Sequence, residues 1–498
     1  MDRISIDVLQ YCIFNRLDFI SQIRLRQVCK WLSRLEIYDF KNIKPKYLER
    51  LTDDILIHYP FIRYLDTSFN PKITNINHMS NLKILYAHGN CGINDNGIKH
   101  VNLVELGASN NPKITNVNHM TYLKKLDASG VCGIDDNGIK HVNLVELNAT
   151  FNPKITNVNH MTSLKILDAS YDCGINDDGI KHVNLIELNA DSNLKITNVN
   201  HMTNLKILGA RGDCGINDNG IKHINLVELK ASFNPKITNV NHMTNLKILY
   251  ASWDCGINDD GIKCVNLVEL DVCDNYKITN VNHMTNLLKL DASRNCGISD
   301  KAIKHINLVE LDASFNPKIT NVNHMTNLKI LNARGGYCGI NDDGIKHINL
   351  VELNAWNNPK ITNVNHMTNL KKLYAEWNCG INDDGIKHVN LIELDAFDNH
   401  KITNVNHMTN LKILNAHGDC GINDDGIKDV NFVKLDASNN PNITNVNHMT
   451  NLKKLRAFGD CGINNDGIRH VNLIELYAFD NPKITNVNHT INWKKLNN

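Results

Sequence analysis

Aromatic residues are scarce in this chain, 6% of 498, and neither sign of charge dominates, with 53 Lys and Arg against 52 Asp and Glu. A net charge of +1 argues against a partner held by bulk phosphate neutralisation, so no nucleic acid is expected. No run approaches the roughly 18 apolar residues of a membrane span, so no membrane partner is expected either. The opening Met1-Asp2-Arg3-Ile4-Ser5-Ile6-Asp7 carries charges where a signal peptide needs an apolar core. The expected location is intracellular and cytoplasmic, with the nucleus also open. C-x-x-C pairs, phosphate-cradling glycine loops and nucleophile motifs are all missing. The expectation is therefore no metal, no cofactor and no enzyme activity.

What is present is repetition, with a period of 41 residues split into halves of 20 and 21. The short half, typified by Leu103 to Tyr122, occurs eleven times. The long half, typified by Leu164 to Asn184, occurs ten times, once stretched near Gly335-Gly336. Numbering each half from its leading apolar residue, usually Leu, puts apolar residues at positions 1, 4, 6 and 12 of both. Positions 3 to 7 alternate, as a short strand with one buried face requires. A 20-residue coil cannot bury its own apolar side, so coils must stack, with their strands forming one parallel sheet. Asn at position 9 of every short half, from Asn70 to Asn481, suits the turn leaving the sheet and is expected to continue as a ladder from coil to coil. Asp-Asp-Gly-Ile-Lys-His in the long half reads as a short capped helix or turn on the opposite side. Ala at position 6 in nearly every copy predicts a thin core beneath the sheet.

The pattern resembles the leucine-rich repeat LxxLxLxxNxI, in register over about 435 residues. The long half, with DCGINDDGIKHV, resembles the cysteine-containing repeats found behind F-boxes. The near-identity of the copies resembles repeat families of large DNA viruses. The fold class expected is an α/β solenoid: a leucine-rich repeat horseshoe with a concave parallel sheet and short convex helices or turns. It spans residues 62–498 in about 21 units, after a degenerate capping repeat at 41–61.

Residues 1–40 differ from the repeats and have helical apolar spacing. Ile4, Asp7, Val8-Leu9, Leu17-Asp18 and Arg26-Gln27-Val28-Cys29-Lys30-Trp31 resemble the F-box pattern, although Ser5 stands where its usual Pro would be. That resemblance implies docking on the Skp adaptor of an SCF-type cullin ubiquitin ligase through Ile4, Val8, Leu9, Leu17, Val28 and Trp31. The chain would then be a substrate receptor for an unidentified protein, in the ubiquitin conjugation pathway. Two alternatives stay open: a protein-binding scaffold whose N-terminus is only a helical cap, and an enzyme whose site shows no motif.

Ten of the 14 cysteines occupy position 10 of the long half. Successive ones are two coils apart, on the order of 10 Å and beyond disulfide reach, so they read as reduced core residues. Most histidines also recur at fixed positions, at the Asn-His of short halves and the Lys-His or Arg-His of long ones, which is structure rather than one converging site. Lysines at position 11 of short halves form a further ladder, expected to be neutralised by Asp at position 14 of long halves. Lys125, Lys289 and Lys372 at position 3 are expected to pair with Glu residues along the sheet. Positions 5, 7 and 8 vary while their surroundings do not. In a chain this poor in aromatics, those found there mark a candidate protein-binding surface: Phe233, Tyr250 and Trp253 in one group, Trp356, Tyr374, Trp377 and Phe397 in another. The competing expectation is that these rings merely cover the thin Ala layer.

Overall fold

The computed structural model describes residues 6, 9–10, 13–17, 19–37, 40, 45–485 and 492–494. The chain divides into two compact units, Met1–Thr238 with His242–Leu246, and Asn239–Asn241 with Lys247–Asn498. The first unit holds a 3-10 turn at Phe14–Arg16, a helix at Phe19–Val28, a second 3-10 turn at Leu32–Arg34 and short helices at Pro45–Leu48 and Asp53–Leu56. Nine three-residue strands follow among its described residues, from β1 (Tyr64–Asp66) to β9 (Glu228–Lys230). The second unit contributes thirteen, from β10 (Ile248–Tyr250) to β22 (Asn492–Lys494).

Within each unit successive strands pair in parallel; from β1 to β21 each occupies positions 3 to 5 of its coil and sets Leu opposite Leu, while β22 sets Trp493 opposite Leu476. Leu65 faces Leu85 and Leu106 faces Leu126 in the first unit. Leu290 faces Leu311 and Leu373 faces Leu394 in the second. The middle Leu is buried while its neighbours at positions 3 and 5 stay partly open, the alternation a one-faced strand demands. Ile at position 12, Met at 18 of short halves and Ile at 17 of long halves complete the core, all fully buried in coils such as 103–143. This is a leucine-rich repeat solenoid.

Two different interfaces alternate along the stack. Where a short half follows a long one, the Asn at position 9 is buried, and its amide nitrogen donates to two carbonyls of the preceding coil. Asn111 reaches Ala87 O at 2.9 Å and Ile93 O at 3.2 Å, while its Oδ1 accepts from the Lys113 N–H at 3.0 Å. On the far side the Asp95 carboxylate accepts from the backbone N–H of Thr115 at 2.7 Å and of Asn116 at 3.2 Å. His119 Nε2 meets Ile98 O at 3.0 Å. Where a long half follows a short one, Gly92 N–H donates to Asn70 O at 3.0 Å. There Asn77 also accepts from His100 N–H at 2.8 Å and donates to Asn96 O at 2.8 Å. The Asn ladder is thus not continuous from coil to coil, as the repeat pattern suggested. It has a rung at every second coil, because position 9 of the long half, as at Asn90, Asn295 and Asn378, is exposed and the buried side chain there is the Cys at position 10.

The helix of each long half is one turn, as Asp95–Ile98, with Asn94 Oδ1 accepting from Gly97 N–H at 3.1 Å. Gly97 is needed because a Cβ there would lie 2.0 Å from Thr74 O. Ala302 takes the equivalent place in one coil, where the turn tightens to a 3-10 helix at Asp300–Ile303 and Ser299 makes no side-chain cap. The lysine ladder corrects a second expectation. Lys113 Nζ donates to Cys91 O at 3.0 Å and Lys318 Nζ to Cys296 O at 2.9 Å, rather than pairing with Asp at position 14. Those Asp carboxylates are already taken by the Thr of the next coil. The sheet-edge pairs do form, Lys125 with Glu146 at 2.7 Å and Lys289 with Glu310 at 3.4 Å. They are half-exposed and contribute little.

Replacing Asn316 by Ala would leave Ala292 O, Ile298 O and Lys318 N–H without their partner in a fully buried site. A loss of about 3 kcal/mol is expected from three unmade bonds, read as a lowered urea midpoint. An unchanged midpoint would show that water or a shifted backbone replaces the amide.

The ten ladder cysteines are free and buried. Burial pushes the thiols of Cys132 and Cys173 up to about 11 and those of Cys296 and Cys420 up to about 12. Since the neutral thiol is the form the fold favours, this contribution is intact below the ordinary thiol value of 9.0 and is lost as pH rises through 11 to 12. In the native protein at pH 8, exposed Cys29 and Cys264 should react with a thiol reagent while the ladder stays protected. In denaturant all should react. Mass mapping of native labelling would contradict this by finding ladder cysteines modified first.

Candidate functional site

Positions 7 and 8 of each coil follow the strand and form two parallel rows beside it. Position 8 has a backbone feature that sets the whole row: φ is positive in every one of the 21 coils. Six of these residues are Gly and six are Asn or Asp, which tolerate the left-handed region. Seven are aromatic: Phe69, Phe151, Tyr171, Phe233, Trp253, Phe315 and Trp377, with φ between 56 and 62°. A bulky side chain costs about 1–2 kcal/mol in this conformation. The Gly and Asx residues at position 8 were the sequence signal for it.

A ring in the same coil is not what buries the Ala at position 6. Ala128 and Ala437 are fully buried although their own coils carry Ser129-Gly130 and Ser438-Asn439 at positions 7 and 8. Within the stack the Asn amide meets the Ala carbonyl of a long half, as Asn111 does Ala87 O at 2.9 Å, and Cys338 Sγ donates to Ala313 O at 3.4 Å.

The candidate residues fall as follows. Phe233 lies in the first unit, 50% exposed. Tyr250 and Trp253 lie in the second, where the Tyr250 hydroxyl donates to Glu269 at 3.1 Å and the Arg294 guanidinium sits 5.5 Å from the Trp253 ring. Trp356 is half-buried, edge-on to Phe315 at 6.2 Å. Trp377, 47% exposed, packs edge-to-face on Phe397 at 5.6 Å. From Phe397 the row continues through His417 at 4.8 Å, then Phe458 at 5.4 Å, and ends with Phe458 stacked on Phe479 at 4.6 Å. His417, one of four histidines outside the two repeated places, was missed because attention to histidine stopped at the repeated ones. Tyr374 stands at position 5 of the Trp377 coil, half-buried, its phenol raised by burial and by the nearby carboxylates of Glu393, Glu352, Asp395 and Glu376.

Of the adaptor-docking candidates, Ile4 and Val8 lie outside the described residues. Leu9 and Leu17 are half-buried. Val28, the last residue of its helix, is 70% exposed and Trp31 is 38% exposed. Among the described residues, no group of three His, Cys, Asp or Glu could hold a metal ion, and no helix is long and apolar enough to cross a membrane.

No protein-family model and no curated protein matches this chain. Solved structures do. A TLR13–ssRNA13 complex is similar at 15% identity and a TM-score of 0.42, over 90% of this chain and 73% of that one. The mouse RP105/MD-1 complex is similar at 13% and 0.44, over 84% and 78%. The functional domain of InlJ from Listeria monocytogenes, described as including a cysteine ladder, is similar at 18% and 0.21, over 80% and 70%. At such identities the likeness is one of fold.

Replacing Trp377 by Gly relieves the left-handed strain while deleting a ring contact of about 1 kcal/mol, so the two effects nearly cancel. The expected change in unfolding free energy is within about 1 kcal/mol. A drop of several kcal/mol would instead make the ring part of the core.

Proposed function

We propose that the chain is a protein-binding scaffold that engages its partner with the aromatic row beside the strand face of the solenoid. The observation that carries this reading is Trp377: a large ring, 47% exposed, held on a left-handed backbone that glycine would occupy without strain. Backbone strain kept where packing does not need it is a mark of a working surface. Rigid aromatics are the side chains that most often anchor protein interfaces. No enzymatic step is assigned to it.

A second reading, that the scaffold is the substrate receptor of an SCF-type ubiquitin ligase, is favoured by one feature of the N-terminal segment. Val28 and Trp31 project into solvent, whereas a segment serving only to cap the array would turn its apolar side chains inward. The F-box resemblance supplies the partner, a Skp-type adaptor.

One capture experiment tests both. Partners cross-linked to the wild-type protein in cells should be lost from the Trp377→Gly variant, since an anchor truncation typically costs about 2 kcal/mol, roughly thirtyfold in affinity. Purified Skp adaptor should bind the wild type and fail to bind Val28→Asp. Equal partner capture by the Gly variant would remove the aromatic row from the interface. Equal adaptor binding by Val28→Asp, or none by the wild type, would leave the scaffold without a ligase role.

A further inference from the structure

Glu376, Glu393 and Asp395 lie on two neighbouring coils of the second unit and share one peculiarity. Glu376 occupies position 7 between Trp356 and Phe397 of the flanking coils, whose backbones are held in register with it by Ala355 N–H to Tyr374 O at 2.8 Å and Trp377 N–H to Phe397 O at 2.7 Å. Adjacent coils are about 4.8 Å apart, and Glu376 is half-buried. Among the described residues, no hydrogen bond or ion pair meets its carboxylate. Glu393 faces Lys372 across the ladder, yet Lys372 Nζ turns the other way, to Glu352 at 3.7 Å. Asp395 accepts only from amides, Phe397 N–H at 3.1 Å and Asn415 Nδ2 at 3.0 Å. Two acids further along the same unit do have cations: Asp436 has Arg456 at 3.5 Å, and Glu475 has Lys454 at 3.2 Å. Tyr374 stands among the uncompensated carboxylates and Trp377 at their edge.

We propose that this patch receives a lysine or arginine side chain of the partner protein, the cation seated against Glu376, Glu393 and Asp395 with the rings of Trp356, Trp377 and Phe397 around it. This rests on the protein-binding reading and states its chemistry. A half-buried carboxylate without a partner carries an unrecovered desolvation cost, and an incoming cation recovers it. Aromatic faces attract the same cation, most strongly where water is displaced. A phosphate-bearing partner meets three negative charges here and is disfavoured.

Burial and the charge of Asp395 raise the Glu376 carboxyl to about 7, against a lowering by Arg334. A bound cation favours the ionised form, so affinity rises with pH through neutrality. The other charged or titratable groups around it are Glu352, Lys372, Tyr374, Glu393 and, beyond Phe397, His417.

The test uses fluorescein-labelled hexa-arginine and its neutral isostere hexa-citrulline, read by anisotropy on the full chain at physiological salt. Wild type should bind the arginine peptide and not the citrulline one. Glu376→Gln and Trp377→Gly should each weaken it about tenfold, and the rise in affinity from pH 6 to 8 should shrink in Glu376→Gln. Equal binding to wild type and both variants, or no preference for arginine over citrulline, overturns the proposal. Cross-linked partner capture separates the two readings: loss in Trp377→Gly with no effect of Glu376→Gln or of competing hexa-arginine leaves the scaffold reading standing and removes the cation site. If capture survives both substitutions, both readings fall.

Discussion

The buried amide of Asn at position 9 is the interaction on which the rest of the solenoid depends. After the strand ends at position 5, the chain must turn out of the sheet, and the carbonyls at positions 6 and 12 of the coil behind it lose the regular ladder that would have satisfied them. One side chain answers both, as Asn316 does for Ala292 O and Ile298 O, and holds its own turn through the N–H of Lys318. An amide is the right group because it donates two hydrogens and accepts at the same time. The small Ala at position 6 is the counterpart of this arrangement. Two coils accommodate a larger residue there, Thr67 and Val272, and Asn70 and Asn275 still make both bonds.

That logic explains why so much of the architecture could be read from residues alone. Leu at position 4 and Ile at position 12 recur in phase, and nothing but a parallel stack satisfies them together. The pairing of Lys125 with Glu146 was legible for the same reason, since position 3 of adjacent coils must be neighbours. The lysine at position 11 was not. A lysine in a polar turn reads as a surface charge, and only the folded chain brings its Nζ onto a Cys carbonyl, as in Lys318 to Cys296 O. Nor was the alternation of interfaces evident, because it depends on which atom of each side chain meets which carbonyl.

The aromatic surface was half legible. Variation against a constant background identified Trp356 and Phe397 in the position-7 row of the second unit and Trp377 in the position-8 row beside it. The same variation placed Phe233 and Trp253 in one group, although they fall in separate units. What sequence could not supply was orientation: Lys372 might equally have turned to Glu393, and its choice of Glu352 is what leaves an acid unmatched among the rings.

The alternation of two interfaces limits how such an array can change in length. Excising a single short coil would set a long half against a long half, so that the Asp95 carboxylate would meet another acidic turn instead of the Thr115 hydroxyl, and the Lys113 type of bond would have no lysine to make it. Removing or adding 41 residues preserves every rung. Recombination between copies is therefore tolerated only in whole pairs, and each event that respects this rule moves the recognition residues along the face as a block while leaving the frame that carries them intact.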